Sequence, residues 1–117
     1  MITVDEIRGY ATALPEVEEF THFRFRVPGF RVDGAAFAGM DKGEATAVFS
    51  VDLKEASGAV AKDPATYREV WRPGATTSFV GLRVELAKVS KARVRELVER
   101  AWRNKAPQRL VTVYDAG

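Results

Sequence analysis

The chain has 117 residues, a length that fits one domain spanning residues 1–117 and leaves no room for a second core. With 46% apolar residues, including seven Phe, three Tyr and two Trp, it can bury enough surface to fold without covalent staples, and its lack of cysteine excludes disulfides, thiolate metal sites, iron–sulfur clusters and cysteine nucleophiles. The net charge of +2 hides an uneven spread: residues 1–20 carry Asp5, Glu6, Glu16, Glu18 and Glu19 against Arg8, whereas residues 88–109 carry Lys88, Lys91, Arg93, Arg95, Arg100, Arg103, Lys105 and Arg109 against Glu96 and Glu99.

The segment Thr3-Val4-Asp5-Glu6 has the form of a capping box, with Ile2 and Ile7 placed as its hydrophobic staple. Ile7, Tyr10, Ala11 and Leu14 continue at helical spacing, and Pro15 predicts a stop at Ala13 or Leu14. The same N-terminus has no basic stretch followed by an apolar run, so no signal peptide is expected. No apolar run in the chain approaches the length of a membrane span.

From His22 the period changes to two. Phe23, Phe25 and Val27 alternate with Arg24 and Arg26, which predicts a half-buried strand, and Pro28-Gly29 predicts a turn. Phe30-Arg31-Val32 resumes the alternation up to Asp33-Gly34, a favoured hairpin dipeptide. Ala35 to Met40 reads as a strand, Asp41-Lys42-Gly43 as a turn and Ala45 to Val51 as a further strand. Connections this short permit only antiparallel neighbours.

Leu53 to Ala61 reads as a helix. Asp63-Pro64 opens another, with Asp63 as cap and Tyr67, Val70 and Trp71 on adjoining positions before Pro73-Gly74. Ser78 to Leu86 alternates strongly, with Val80, Leu82, Val84 and Leu86 on one face. Ser90 can cap a last long helix whose stripe is Val94, Leu97, Val98, Ala101 and Trp102. Pro107 interrupts it, and Leu110 to Tyr114 fits either a short helix or an edge strand. Strands grouped centrally, with helices before and after, predict an α+β fold: an antiparallel meander plus a later strand, flanked by N- and C-terminal helices.

No catalytic or metal-binding constellation emerges. One histidine, His22, allows at most one Ser-His arrangement, and one His without Cys leaves only carboxylates as metal ligands. Glu16, Glu18 and Glu19 lack the spacing of a calcium loop and read as a solvated face. No phosphate-binding glycine motif is present. The expectation is a non-enzyme with no cofactor and no metal.

What remains is basic. Arg24, Arg26 and Arg31 are placed opposite the apolar alternation, and Arg93, Arg95, Arg100 and Arg103 lie off the stripe of the last helix. Lys91 and Arg93 stand in that helix's first turn, where the dipole disfavours cations, so helix stability alone does not explain them. Arginines on a strand and a helix are the chemistry of phosphate contact. A second candidate is the loop around Trp71, Thr76, Thr77 and Ser78, whose hydroxyls suit a small ligand or a protein partner.

The order of these features resembles the MmcQ/YjbR family over nearly the whole chain. The resemblance is carried by Leu14-Pro15-Glu16-Val17-Glu18-Glu19, Phe30-Arg31-Val32-Asp33-Gly34-Ala35-Ala36-Phe37-Ala38, Trp71-Arg72-Pro73-Gly74, Phe79-Val80-Gly81-Leu82-Arg83-Val84-Glu85-Leu86 and Val94-Arg95-Glu96-Leu97-Val98-Glu99-Arg100-Ala101-Trp102. It implies an α+β fold likened to a double-wing DNA-binding domain, in a bacterial cytoplasmic protein without a cofactor. The expected partner is DNA, bound with weak specificity, or alternatively a protein; the expected state is a monomer or a weak homodimer. The chain departs from the commoner pattern at Ala35-Ala36, where members often carry Gly-Lys, and so lacks a basic contact there.

Overall fold

The computed structural model describes residues 1–74 and 78–117. Ten elements follow in the order α1 (Val4–Thr12), β1 (Val17–Thr21), β2 (Pro28–Val32), β3 (Ala35–Met40), β4 (Thr46–Phe49), α2 (Leu53–Lys62), β5 (Tyr67–Arg72), β6 (Ser78–Glu85), α3 (Lys91–Lys105) and α4 (Gln108–Ala116). The strands form one antiparallel sheet in the order β1-β2-β3-β4-β6-β5. It is an α+β fold: α1 packs on β1 and β2, α3 on β3 and β4, and α2 on β5 and β6. The core between the layers is built on Phe30, Phe37, Phe49, Leu82, Leu97 and Trp102, each fully buried.

Local chemistry explains the elements the sequence marks well. Thr3 caps α1 by accepting the Glu6 amide, Asp52 caps α2 through Glu55 N–H, and Ser90 caps α3 through Arg93 N–H. Asp33 and Gly34, with φ of 50° and 78°, make the two-residue left-handed turn that joins β2 to β3 with the twist a hairpin needs. The register shifts between Phe30 and Arg31 opposite β3, and the extra residue there lets Phe37 and Ala38 both reach the core. Residues 108–116 form a helix, so the choice left open by Leu110 to Tyr114 resolves to α4. Its Tyr114 ring meets Trp102 edge-on at 5.2 Å.

Three expectations fail, each for a physical reason. The strand expected from His22 lies earlier, at Val17–Thr21, and residues 22–27 instead form the tip joining β1 to β2. Glu18 and Glu19 hid β1, because on its helix-facing side Val17 is followed by Glu19, held by Arg8 of α1 at 2.7 Å, and not by a second apolar residue. Pro28, read as a turn, opens β2 and pairs with Thr21; the first position of a strand tolerates its missing N–H. The helix expected after Asp63 is a single turn. Asp63 accepts from Thr66 and Tyr67 amides and from the Thr66 hydroxyl at 2.6 Å, and the chain then enters β5. The aromatic and β-branched residues Tyr67, Val70 and Trp71 favour the extended state over a helix.

Candidate functional site

The register divides the sheet's side chains between its two faces. Phe30, Ala38, Phe49 and Leu82 fall in one cross-strand row against the helices, so their neighbours Arg31, Val48, Arg83 and Arg68 fall on the face the helices leave open. Arg31 lies on that face, 3.7 Å from Glu18 and 5.4 Å from the centre of the Phe20 ring, which itself lies over Gly29. Arg83 is held by Asp41 at 2.9 Å, with Arg68 directly opposite it in the neighbouring strand.

The arginines of α3 belong to the other layer and are largely neutralised. Arg100 meets Glu55 at 3.1 Å and Glu96 at 3.8 Å, while Arg93 pairs with Glu96 and lies 3.8 Å from Glu55. Arg103 is held by Asp115 at 2.7 Å and Glu99 at 3.2 Å, with its guanidinium over the Tyr114 ring. Lys91 reaches Glu6 of α1 at 3.5 Å. The first-turn cations Lys91 and Arg93 are thus explained by the carboxylates of Glu6, Glu55 and Glu96, which offset the unfavourable dipole. Arg95 is exposed in a groove of about 710 Å³ that also holds Asp5, Glu6, Lys91 and Glu99, a lining of mixed sign. The seven arginines singled out by sequence therefore do not share one face.

The acid–base pairs set a testable pH dependence. The hydrogen bond from Arg8 holds the Glu19 carboxyl below its ordinary value of 4.5, against a smaller opposing desolvation, and Arg103 holds Asp115 below 3.8 in the same way. A carboxyl lowered on folding contributes stability that is complete above its unfolded value and is lost as pH falls through the folded one. The urea midpoint is expected to be flat between about pH 6 and 8 and to fall below about pH 4. Glu19→Gln should remove part of that fall, and a variant profile parallel to the wild type would show that the pair does not contribute.

Of the seven arginines, the two at the β1–β2 tip stand apart from any carboxylate. Arg24 and Arg26 are exposed, and among the described residues neither is paired with a carboxylate. The tip is tied internally: His22 N–H donates to Val27 O and Arg26 N–H to His22 O, both at 2.8 Å, while Nδ1 of His22 accepts from the amides of Arg24 and Phe25 at 3.2 and 3.3 Å. Arg26 closes the turn at φ 56°. The His22 ring lies nearly parallel to both Phe23 and Phe25, at centroid distances of 5.5 and 5.1 Å. Phe23 and Phe25 are 81% and 49% exposed, so of the three residues expected to point inward only Val27 is buried. Sequence reasoning missed both as surface residues, since alternation cannot distinguish a half-buried strand from a loop with its aromatics exposed.

Of the second candidate, Trp71 is exposed, donates its Nε1 proton to Glu69 at 3.0 Å and meets Phe79 edge-on at 5.3 Å. Ser78 opens β6, and Thr76 and Thr77 lie outside the described residues. Among the described residues, no group of three His, Asp or Glu could hold a metal, and no helix is long and apolar enough to cross a membrane.

The YjbR family model matches residues 12–104. The fold is similar to the crystal structure of a DUF419-domain protein of Deinococcus radiodurans, with a TM-score of 0.72 and 18% identity over 87% of this chain and 77% of that one. No curated protein matches the sequence.

Proposed function

The chain belongs to the YjbR family, and from that premise we propose that it is a non-catalytic DNA-binding module that contacts phosphates through Arg24 and Arg26 at the β1–β2 tip, with weak sequence preference. The observation that carries this reading is electrostatic. Of the seven arginines in question, Arg31, Arg93, Arg100 and Arg103 have carboxylate partners and Arg95 shares a groove with Asp5, Glu6 and Glu99, whereas Arg24 and Arg26 stand exposed without one. A guanidinium already held by a carboxylate must lose that partner before it gains a phosphate. A free one releases DNA counterions at no such cost. The hairpin also projects beyond the last pair of the β1–β2 ladder, Thr21 with Pro28, so a groove or backbone can reach both guanidiniums.

Fluorescence anisotropy with a labelled duplex at several salt concentrations tests the proposal. Arg24→Glu with Arg26→Glu should weaken binding roughly tenfold or more and make the slope of log affinity against log salt shallower by about 2. Arg100→Glu, which changes a residue held by Glu55, should leave both nearly unchanged. Failure of the wild type to bind at about 100 μM protein in low salt, where even non-specific binders register, would sink the reading.

A further inference from the structure

Resting on that reading, the tip carries a second chemistry that phosphate contact leaves unexplained. Phe30, Phe37 and Phe49 are fully buried, yet Phe23 is 81% exposed at the end of a hairpin. Its ring stacks on a neighbour. It lies within 8° of parallel to His22, whose ring is fixed in turn by the two amide hydrogen bonds to Nδ1 and by the near-parallel Phe25. The outcome is a largely open Phe23 ring lying parallel to the His22 imidazole and next in the chain to Arg24.

We propose that Phe23 is a base-stacking residue, taking the exposed face of a nucleobase while Arg24 and Arg26 hold the phosphates beside it. Every base offers a π face to an aromatic ring, so such stacking adds affinity without requiring a sequence. The same chemistry is met from two sources: an unpaired base in a single strand, or a duplex step opened by an inserted Phe, as minor-groove proteins do. A lipid surface would instead reward rings spread to cover apolar area. Here the Phe23 ring lies parallel to His22 with most of its own surface open, which suits a planar partner.

The experiment compares wild type, Phe23→Ala, Phe23→Trp and the Arg24/Arg26 double variant on a single-stranded oligonucleotide, its matched duplex and phosphatidylserine vesicles. Because Phe23 is exposed, its replacement leaves folding intact. Wild type should bind the single strand more tightly than the duplex; Phe23→Ala should lose about tenfold on the single strand with an unchanged salt slope, and Phe23→Trp should restore it. A loss by Phe23→Ala on the duplex as well supports stacking at an opened step. If Phe23→Ala matches wild type on both DNAs, base stacking is overturned while the arginine reading stands. If wild type binds neither DNA, both readings fail, and vesicle binding lost in Phe23→Ala would put a lipid surface in their place.

Discussion

Trp102→Ala is expected to cost about 3–5 kcal/mol of folding stability. The indole is fully buried at the end of the α3 stripe, donates its Nε1 proton to Pro15 O at 3.1 Å and meets Tyr114 edge-on. Truncation removes the largest buried side chain, opens a cavity between α3 and α4, and leaves a carbonyl of the α1–β1 turn without its donor. Small domains have only about 5–15 kcal/mol in total, so this one change removes a large share and should lower the thermal midpoint by more than 10 °C, roughly. Urea titration followed by far-UV circular dichroism measures it. Trp102→Phe, which keeps most of the volume but not the N–H, should cost about 1–3 kcal/mol; a Trp102→Ala protein as stable as wild type would mean that the helices relax to fill the space.

Gly81→Ala should be the second costly change, though it adds one methyl group. A Cβ at this position would stand 2.5 Å from Phe49 O and 3.1 Å from Phe49 C, with Val48 Cγ1 at 3.2 Å, so the tightest obstacle is backbone. β4 and β6 would have to shift at the Phe49–Leu82 pair, in the middle of the sheet, and the expected loss is about 2–3 kcal/mol. In a strand with room, alanine would instead gain about 0.4–1 kcal/mol by restricting the unfolded chain. Gly29→Ala supplies the contrast. The obstacle there is the Phe20 ring, which can swing aside and release the guanidinium of Arg31, so the urea midpoint should fall much less than for Gly81→Ala.

How far the fold could be read from sequence depended on whether an element carries its own signal. Capping residues and an apolar stripe specify α1 and α3 locally: Thr3 and Ser90 cap as expected, and Val94, Leu97, Val98, Ala101 and Trp102 are the buried residues of α3. Asp33-Gly34 fixes its turn through backbone conformation alone. β1 has no such signal, because its helix-facing Glu19 is stabilised by Arg8 eleven residues earlier, an interaction that periodicity cannot register. β5 follows a genuine Asp63 turn, and pairing with β6, added to the β-favouring Tyr67, Val70 and Trp71, decides that the chain extends from there. The site was legible in residue type but not in placement. Arg24 and Arg26 were singled out correctly as exposed, yet the carboxylates that neutralise Arg93, Arg100 and Arg103 come from α2, α3 and α4. The ring stack of His22, Phe23 and Phe25 depends on a turn that alternation does not encode.

The tie between Trp102 and Pro15, 87 residues apart, also bears on the order in which the structure can assemble. β1, β2 and β3 pair with their immediate successors, so the meander can zip from local hairpins as the chain leaves the ribosome. α1 precedes these strands but packs on α3 as well as on β1, and Ile2 hydrogen-bonds Leu86. The apolar stripe of α1 therefore waits for most of the chain to be synthesised, and docking of the last third closes a protein whose first helix is among the last parts to be covered.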